Sequence, residues 1–101
     1  MTGAKSIAMT AIVCASPGQV SRDLAGEAVI LHLTSGQYYG LDPVGARIWN
    51  LLQQPITVQK LLDTILAEYE VEPRQCQNDL LALLEHLAEE KLIGVRDGIA
   101  S

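Results

Sequence analysis

Residues Val29–Leu52, VILHLTSGQYYGLDPVGARIWNLL, restrict the fold more than any other part of this chain. Ala28–Thr34 (AVILHLT) is rich in β-branched and aliphatic residues, as a strand requires. Ser35-Gly36 reads as a hairpin turn, with glycine supplying the positive φ that the turn needs. Gln37–Leu41 follows as a short second strand carrying two tyrosines. Asp42-Pro43 then ends the strand and opens a helix. An aspartate accepts hydrogen bonds from free helix N–H groups, and proline suits the first helical position because its missing N–H is not needed there. In Val44–Leu52, Val44, Ile48, Leu51 and Leu52 share one face with Trp49 beside it, which is helical spacing. The result is a sheet edge next to a helix, and such an edge can bind an extended peptide.

The flanking segments extend this pattern. Ser16-Pro17-Gly18 breaks the chain, Gln19–Leu24 suits a first strand, and Ala25-Gly26-Glu27 a turn. Pro55 breaks it again, and Thr57 is placed to cap a helix over Val58–Tyr69 with Val58, Leu61, Leu62, Ile65 and Leu66 as its apolar face. After Val71-Glu72-Pro73, a third helix runs from Pro73 or Arg74 to Lys91. Its apolar positions Leu80, Leu81, Leu83, Leu84, Leu87 and Ala88 are wider than one stripe, which suggests one contact with the core and another with something else. Leu92–Val95 suits a terminal extended segment. Three strands followed by three helices make an α+β domain whose three-stranded antiparallel sheet has its last strand at an edge.

With 101 residues, 49% hydrophobic and 19% charged, the chain suits a single packed domain. The domain is expected over residues 16–95, with residues 1–15 a flexible or extended arm and 96–101 a tail. Ile7–Ala15 faintly resembles a signal-peptide core, but it is short and Thr10 interrupts it, so the arm is the preferred reading. No segment approaches the roughly 18 apolar residues of a membrane helix. The expected location is cytoplasmic.

The net charge is −5, and the seven basic residues Lys5, Arg22, Arg47, Lys60, Arg74, Lys91 and Arg96 are scattered. Nucleic-acid binding needs a concentrated positive face, and anionic membranes repel an acidic chain, so neither partner is expected. A winged-helix DNA-binding regulator is the alternative the helix order allows, yet the third helix carries only Arg74 and Lys91, at its extremes.

Catalytic signals are weak. Cys14 and Cys76 have no metal-ligand spacing and read as free thiols. Cys76–His86 and Cys14–His32 are conceivable nucleophilic pairs, but no motif supplies a third, orienting group. His86 and Glu90 sit four apart on one helix face, two ligands without a third. Trp49, His32 and most of the leucines read as structural, and the acidic stretches Glu68–Glu72 and Glu89-Glu90 as solvated helix ends. No enzyme activity, cofactor or metal is expected.

Gly36, Tyr38, Leu41, Pro43, Gly45, Ile48, Trp49 and Leu52 form the pattern G-x-Y-x-x-L-x-P-x-G-x-x-I-W-x-x-L. Val58, Leu62, Tyr69, Val71, Asp79, Leu83, Leu87 and Leu92 continue it. Over about Gln19 to Val95 the chain resembles the PqqD-like family, the RiPP precursor recognition elements, and is most similar to the stand-alone versions of lasso-peptide clusters. The resemblance implies a winged helix-turn-helix-like domain that binds the leader of a ribosomally made, post-translationally modified peptide. It implies strand addition to the third strand, packing against the third helix, and presentation to a partner leader peptidase of the cysteine protease type that acts with a macrocyclase. A PqqD-type peptide chaperone for another modifying enzyme is the alternative within the family. The peptide-binding residues expected are Gln37, Tyr38, Tyr39, Gly40 and Leu41 on the strand. On the third helix they are Cys76, Asp79, Leu80, Leu83 and Leu87, which follow i, i+3, i+4 spacing. Tyr38 and Gly40 share one face of the strand, Tyr39 and Leu41 the other. The alternation leaves open which tyrosine faces the groove.

Overall fold

The computed structural model describes residues 7–24 and 27–96. The expected turn at Ala25-Gly26-Glu27 and the tail beyond Arg96 fall largely outside the described residues, as do residues 1–6. The described chain is α+β, in the order β1 (Ile12–Ala15), β2 (Gln19–Leu24), β3 (Glu27–His32), β4 (Tyr38–Leu41), α1 (Pro43–Leu51), β5 (Ile56–Thr57), α2 (Val58–Glu68), α3 (Pro73–Glu89) and β6 (Ile93–Arg96).

The three-stranded antiparallel sheet expected from the sequence is β2-β3-β4, with β4 at one edge. A second three-stranded sheet, β5-β1-β6, was not expected. Its central strand comes from the segment read as an arm, and β5 interrupts the expected run of helices. β1 pairs antiparallel with both neighbours, Ile12 opposite Thr57 on one side and Arg96 on the other. Val13 is fully buried and Ile7 and Ala11 are nearly so, so the packed body reaches back at least to Ile7, past the boundary placed at residue 16. Main-chain bonds from Ala15 N–H to the Leu52 carbonyl (2.7 Å) and from Ser16 N–H to the Leu92 carbonyl (2.9 Å) tie this segment to the ends of α1 and α3.

The helices begin where their caps dictate. Asp42 Oδ1 accepts from Gly45 N–H at 2.8 Å and Pro43 is the first residue of α1. Thr57 Oγ1 accepts from Lys60 N–H at 3.1 Å, and Glu72 Oε1 from Gln75 N–H at 2.7 Å. Each side chain satisfies one of the N–H groups that a helix start leaves free. The apolar faces of all three helices meet the inner faces of both sheets in one core that includes Val13, Ile30, Leu52, Leu61, Ile65, Leu84 and Leu92. Trp49 belongs to it.

The β3–β4 turn positions the edge strand. Gly36 adopts φ +74°, and its N–H donates to the His32 carbonyl at 2.7 Å. β3 ends at His32, two residues before the expected Thr34, because the turn takes Leu33 to Gly36. Ala28 and Ile30 of β3 are buried, and their partners across the pair are Leu41 and Tyr39. Tyr39 and Leu41 therefore face the helices, while Tyr38 and Gly40 stand on the outer face of the sheet.

Candidate functional site: an open strand edge above an apolar cleft

The hydrogen-bonding pattern of β4 can be counted from its turn. His32 N–H donates to the Gln37 carbonyl at 2.9 Å. Bonded and non-bonded pairs alternate along an antiparallel ladder. In the observed register, Ile30–Tyr39 and Ala28–Leu41 are then bonded pairs, and Leu31–Tyr38 and Val29–Gly40 are not. The N–H and C=O groups of Tyr38 and Gly40 point away from β3, to the open side of the sheet.

Beneath this edge lies a cleft of about 510 Å³ between β4, α1 and α3. Its apolar lining comes from Leu41, Val44, Ile48, Ile65, Val71, Leu80 and Leu83, and its polar lining includes Asp42, Gln75 and Asp79. Of the ten residues expected to bind peptide, Gly40, Leu41, Cys76, Asp79, Leu80 and Leu83 come together on this cleft. Leu87 does not, because it is buried one helical turn further on, in the core. Gln37, Tyr38 and Tyr39 lie outside the cleft lining.

α1 and α2 also contribute to the lining, through residues that no local sequence signal marks. Val44, Ile48 and Ile65 carry the apolar spacing of core residues, and Ile48 and Ile65 belong to the core while also lining the cleft. Gly45 permits the packing of β4 against α1. A Cβ added there would stand 3.2 Å from Asp42 Oδ1 and 3.3 Å from Leu41 Cβ, closer than side-chain contacts ordinarily come. Asp42 caps α1, as its place before Pro43 predicts, and also forms part of the cleft wall.

Tyr39 lies beyond the cleft, toward the C-terminal end of α3. Its hydroxyl donates to Glu90 Oε1 at 2.7 Å, and the Gln37 side-chain oxygen lies at the same 2.7 Å from it. The His86 ring meets the Tyr39 ring edge-on, with centroids 6.5 Å apart. The hydrogen bond to Glu90, then burial, then the negative charge of Glu90 raise the phenol above its ordinary range. At the other end, Asp79 accepts from Gln75 Nε2 at 2.9 Å.

The thiol on the cleft is not set up as a nucleophile. Burial, and secondarily the charge of Asp79, push the Cys76 thiol up, so it stays protonated at neutral pH. A nucleophilic cysteine needs the opposite shift. Cys14 and Cys76 are both free thiols. Glu90 is engaged by Tyr39, and among the described residues no three His, Cys, Asp or Glu side chains are grouped to hold a metal ion. No helix among the described residues is long and apolar enough to cross a membrane.

Comparison with known proteins gives the family. Residues 27–93 match the family described as coenzyme PQQ synthesis protein D (PqqD). The chain belongs to the PqqD family. As a PqqD-family domain it is also similar to a solved structure, TbiB1 in complex with the TbiA(beta) leader peptide. The identity is 39% and the TM-score 0.73, over 87% of this chain and 99% of that one. No match was found among curated proteins.

Proposed function

We propose that this PqqD-family chain captures the leader of a ribosomally made, post-translationally modified precursor by adding it as a strand to the open edge of β4. The observation that carries the reading is the pairing of two features. The main-chain groups of Tyr38 and Gly40 face outward, and an apolar cleft runs directly below them toward α3. Main-chain bonds to the edge supply affinity, and side chains entering the cleft supply sequence choice. Every second leader residue faces inward, onto Leu41, Leu80 and Leu83, and Asp79 is placed to meet a basic leader residue. The similarity to a protein solved with its leader peptide supports the same assignment.

In this reading the chain does no chemistry. It holds a lasso-type precursor for a separate leader peptidase in the cytoplasm, ahead of macrocyclisation by another enzyme. Capture raises the effective concentration of the cleavage site near the peptidase.

Fluorescence anisotropy tests the proposal. The purified chain is titrated into a labelled TbiA(beta) leader peptide, a labelled leader from its own precursor and, as control, a labelled DNA duplex. Saturable binding to a leader at micromolar concentration or below, with none to DNA, is the expected result. Binding to DNA alone would replace the peptide reading with the regulator one.

A further inference from the structure

Three glycines on or near the leader edge have different reasons to be glycine. Gly36 adopts a positive φ, and a Cβ on Gly45 would crowd Asp42 and Leu41. Gly40 has neither reason. Its φ lies outside the left-handed region, and a Cβ added to it would meet nothing within 4 Å. Glycine weakens a strand, and in a strand it often marks a place where a ligand or another backbone approaches closely. Gly94 in β6 shares both properties, but Gly40 alone of the two lies on the edge strand beside the cleft.

The missing Gly40 side chain would stand on the outer face of the sheet, opposite the cleft. There Val29 of β3 lies directly across from Gly40, half-buried and with no side chain beside it on that side. Tyr38, 71% exposed, stands two residues away on the same face. The three residues form a shallow notch: a bare backbone floor at Gly40, an apolar wall at Val29 and an aromatic flank at Tyr38.

A strand added to β4 brings side chains to this notch. A residue paired directly opposite Gly40 projects to the same face as Gly40 would, and its neighbours on either side project into the cleft. From this we infer that Gly40 builds a second recognition subsite, on the outer face, for a bulky aromatic or branched apolar leader side chain that lies across the glycine against Val29 and Tyr38. Aromatic side chains are known to cover strand glycines in this way. The inference rests on the leader reading above and deepens it. The chain reads both faces of the captured strand, the cleft sampling one set of alternate residues and the Gly40 notch the other.

The test is a coupled substitution experiment on the full chain. The wild type, Gly40→Val and Leu83→Ala are each titrated against the labelled TbiA(beta) leader peptide and a set of its single-alanine variants. Valine suits a strand better than glycine, so the Gly40→Val melting temperature should equal or exceed that of the wild type. Its leader affinity should fall about tenfold or more, the loss expected when one apolar contact is displaced. Sensitive leader positions should form two interleaved sets of period two. Positions in one set should lose their effect in Gly40→Val, and positions in the other set in Leu83→Ala. The inference is overturned if Gly40→Val binds within twofold of the wild type, or if all sensitive positions fall in the set coupled to Leu83. Failure of the wild type to bind any leader peptide would overturn the leader reading, and this inference with it.

Discussion

The Tyr39 hydroxyl donates to Glu90 Oε1 at 2.7 Å, joining the edge strand β4 to the C-terminal cap of α3 across 51 residues of sequence. The bond ties the strand that carries the open edge to the helix that lines the cleft. Tyr39→Phe removes the bond and leaves the ring, so the core should be little disturbed while the tie is lost. The expected result is a severalfold weaker leader affinity with a nearly unchanged melting temperature. The pH dependence has a definite sign. The folded chain holds the Tyr39 proton more tightly than an ordinary phenol does. That contribution to stability is complete below about pH 10 and is lost as pH rises through the raised value. Between neutral pH and strong alkali, wild-type stability should therefore fall more than that of Tyr39→Phe, as urea titrations at several pH values would show. Equal slopes would mean that the bond is absent in solution.

Val13 tests whether the N-terminal strand is integral to the fold. It is fully buried between β5 and β6, at the centre of the second sheet. Val13→Asp places an unpaired charge in the core, at a cost of about 3 kcal/mol or more. A domain of this size is stabilised by about 5–15 kcal/mol in all. The variant should unfold at much lower urea than the wild type or be recovered unfolded. Native stability would show that β1 is dispensable and that the domain begins near residue 16.

The helices and the β2-β3-β4 hairpins could be read from local signals. Asp42-Pro43, Thr57 and Pro73 mark helix starts by chemistry confined to one turn, and Gly36 marks the hairpin by its own φ. The second sheet could not be read in this way. β5 is two residues long, too short for any alternation, and β1 acquires its partners only from residues about 45 and 80 positions later. The orientation of the tyrosines had the same limit. Alternation along β4 is symmetrical until the burial of Ala28 and Ile30 on β3 decides which face is inside. Leu83 and Leu87 follow the same helical stripe, yet Leu83 stands half-buried on the cleft wall and Leu87, one turn on, lies in the core.

Arg47 and Glu68 link α1 to α2 by two hydrogen bonds, Nε to Oε1 at 2.9 Å and Nη2 to Oε2 at 2.8 Å. The fork geometry of arginine favours such a two-bond pair with a carboxylate. Accepting these bonds lowers the Glu68 carboxyl below its ordinary range; burial opposes the shift, and the positive charge of Arg47 adds a lesser lowering. A carboxyl depressed in the folded state stabilises it above the unfolded carboxylate range, about pH 4.3, and loses that contribution as pH falls through the folded value. Arg47→Ala should remove this acid-dependent part while leaving neutral-pH stability only slightly lower, since the pair is solvent-exposed and screened. Thermal melts from pH 7 to pH 2 would measure the difference. Parallel curves for the two proteins would show that the bridge does not persist in solution.

Leu83 offers the sharpest test of the cleft. It is half-buried on the wall formed by α3, with Leu80 on the same wall, while its neighbour Leu84 is fully buried in the core. Leu83→Arg has a long stem that can carry its charge out to solvent, so the fold should survive. The same charge stands where leader side chains would enter an apolar surface, and seating them would mean desolvating it. Leader affinity should fall at least about a hundredfold while the circular dichroism spectrum and the melting transition remain close to wild type. Leu84→Ala is the structural control. It should cost about 2–5 kcal/mol of stability through the cavity it leaves, with leader binding retained below its melting temperature. If Leu83→Arg binds the leader as tightly as the wild type, the leader does not use this wall of α3, and strand addition at β4 would have to proceed with its side chains directed elsewhere.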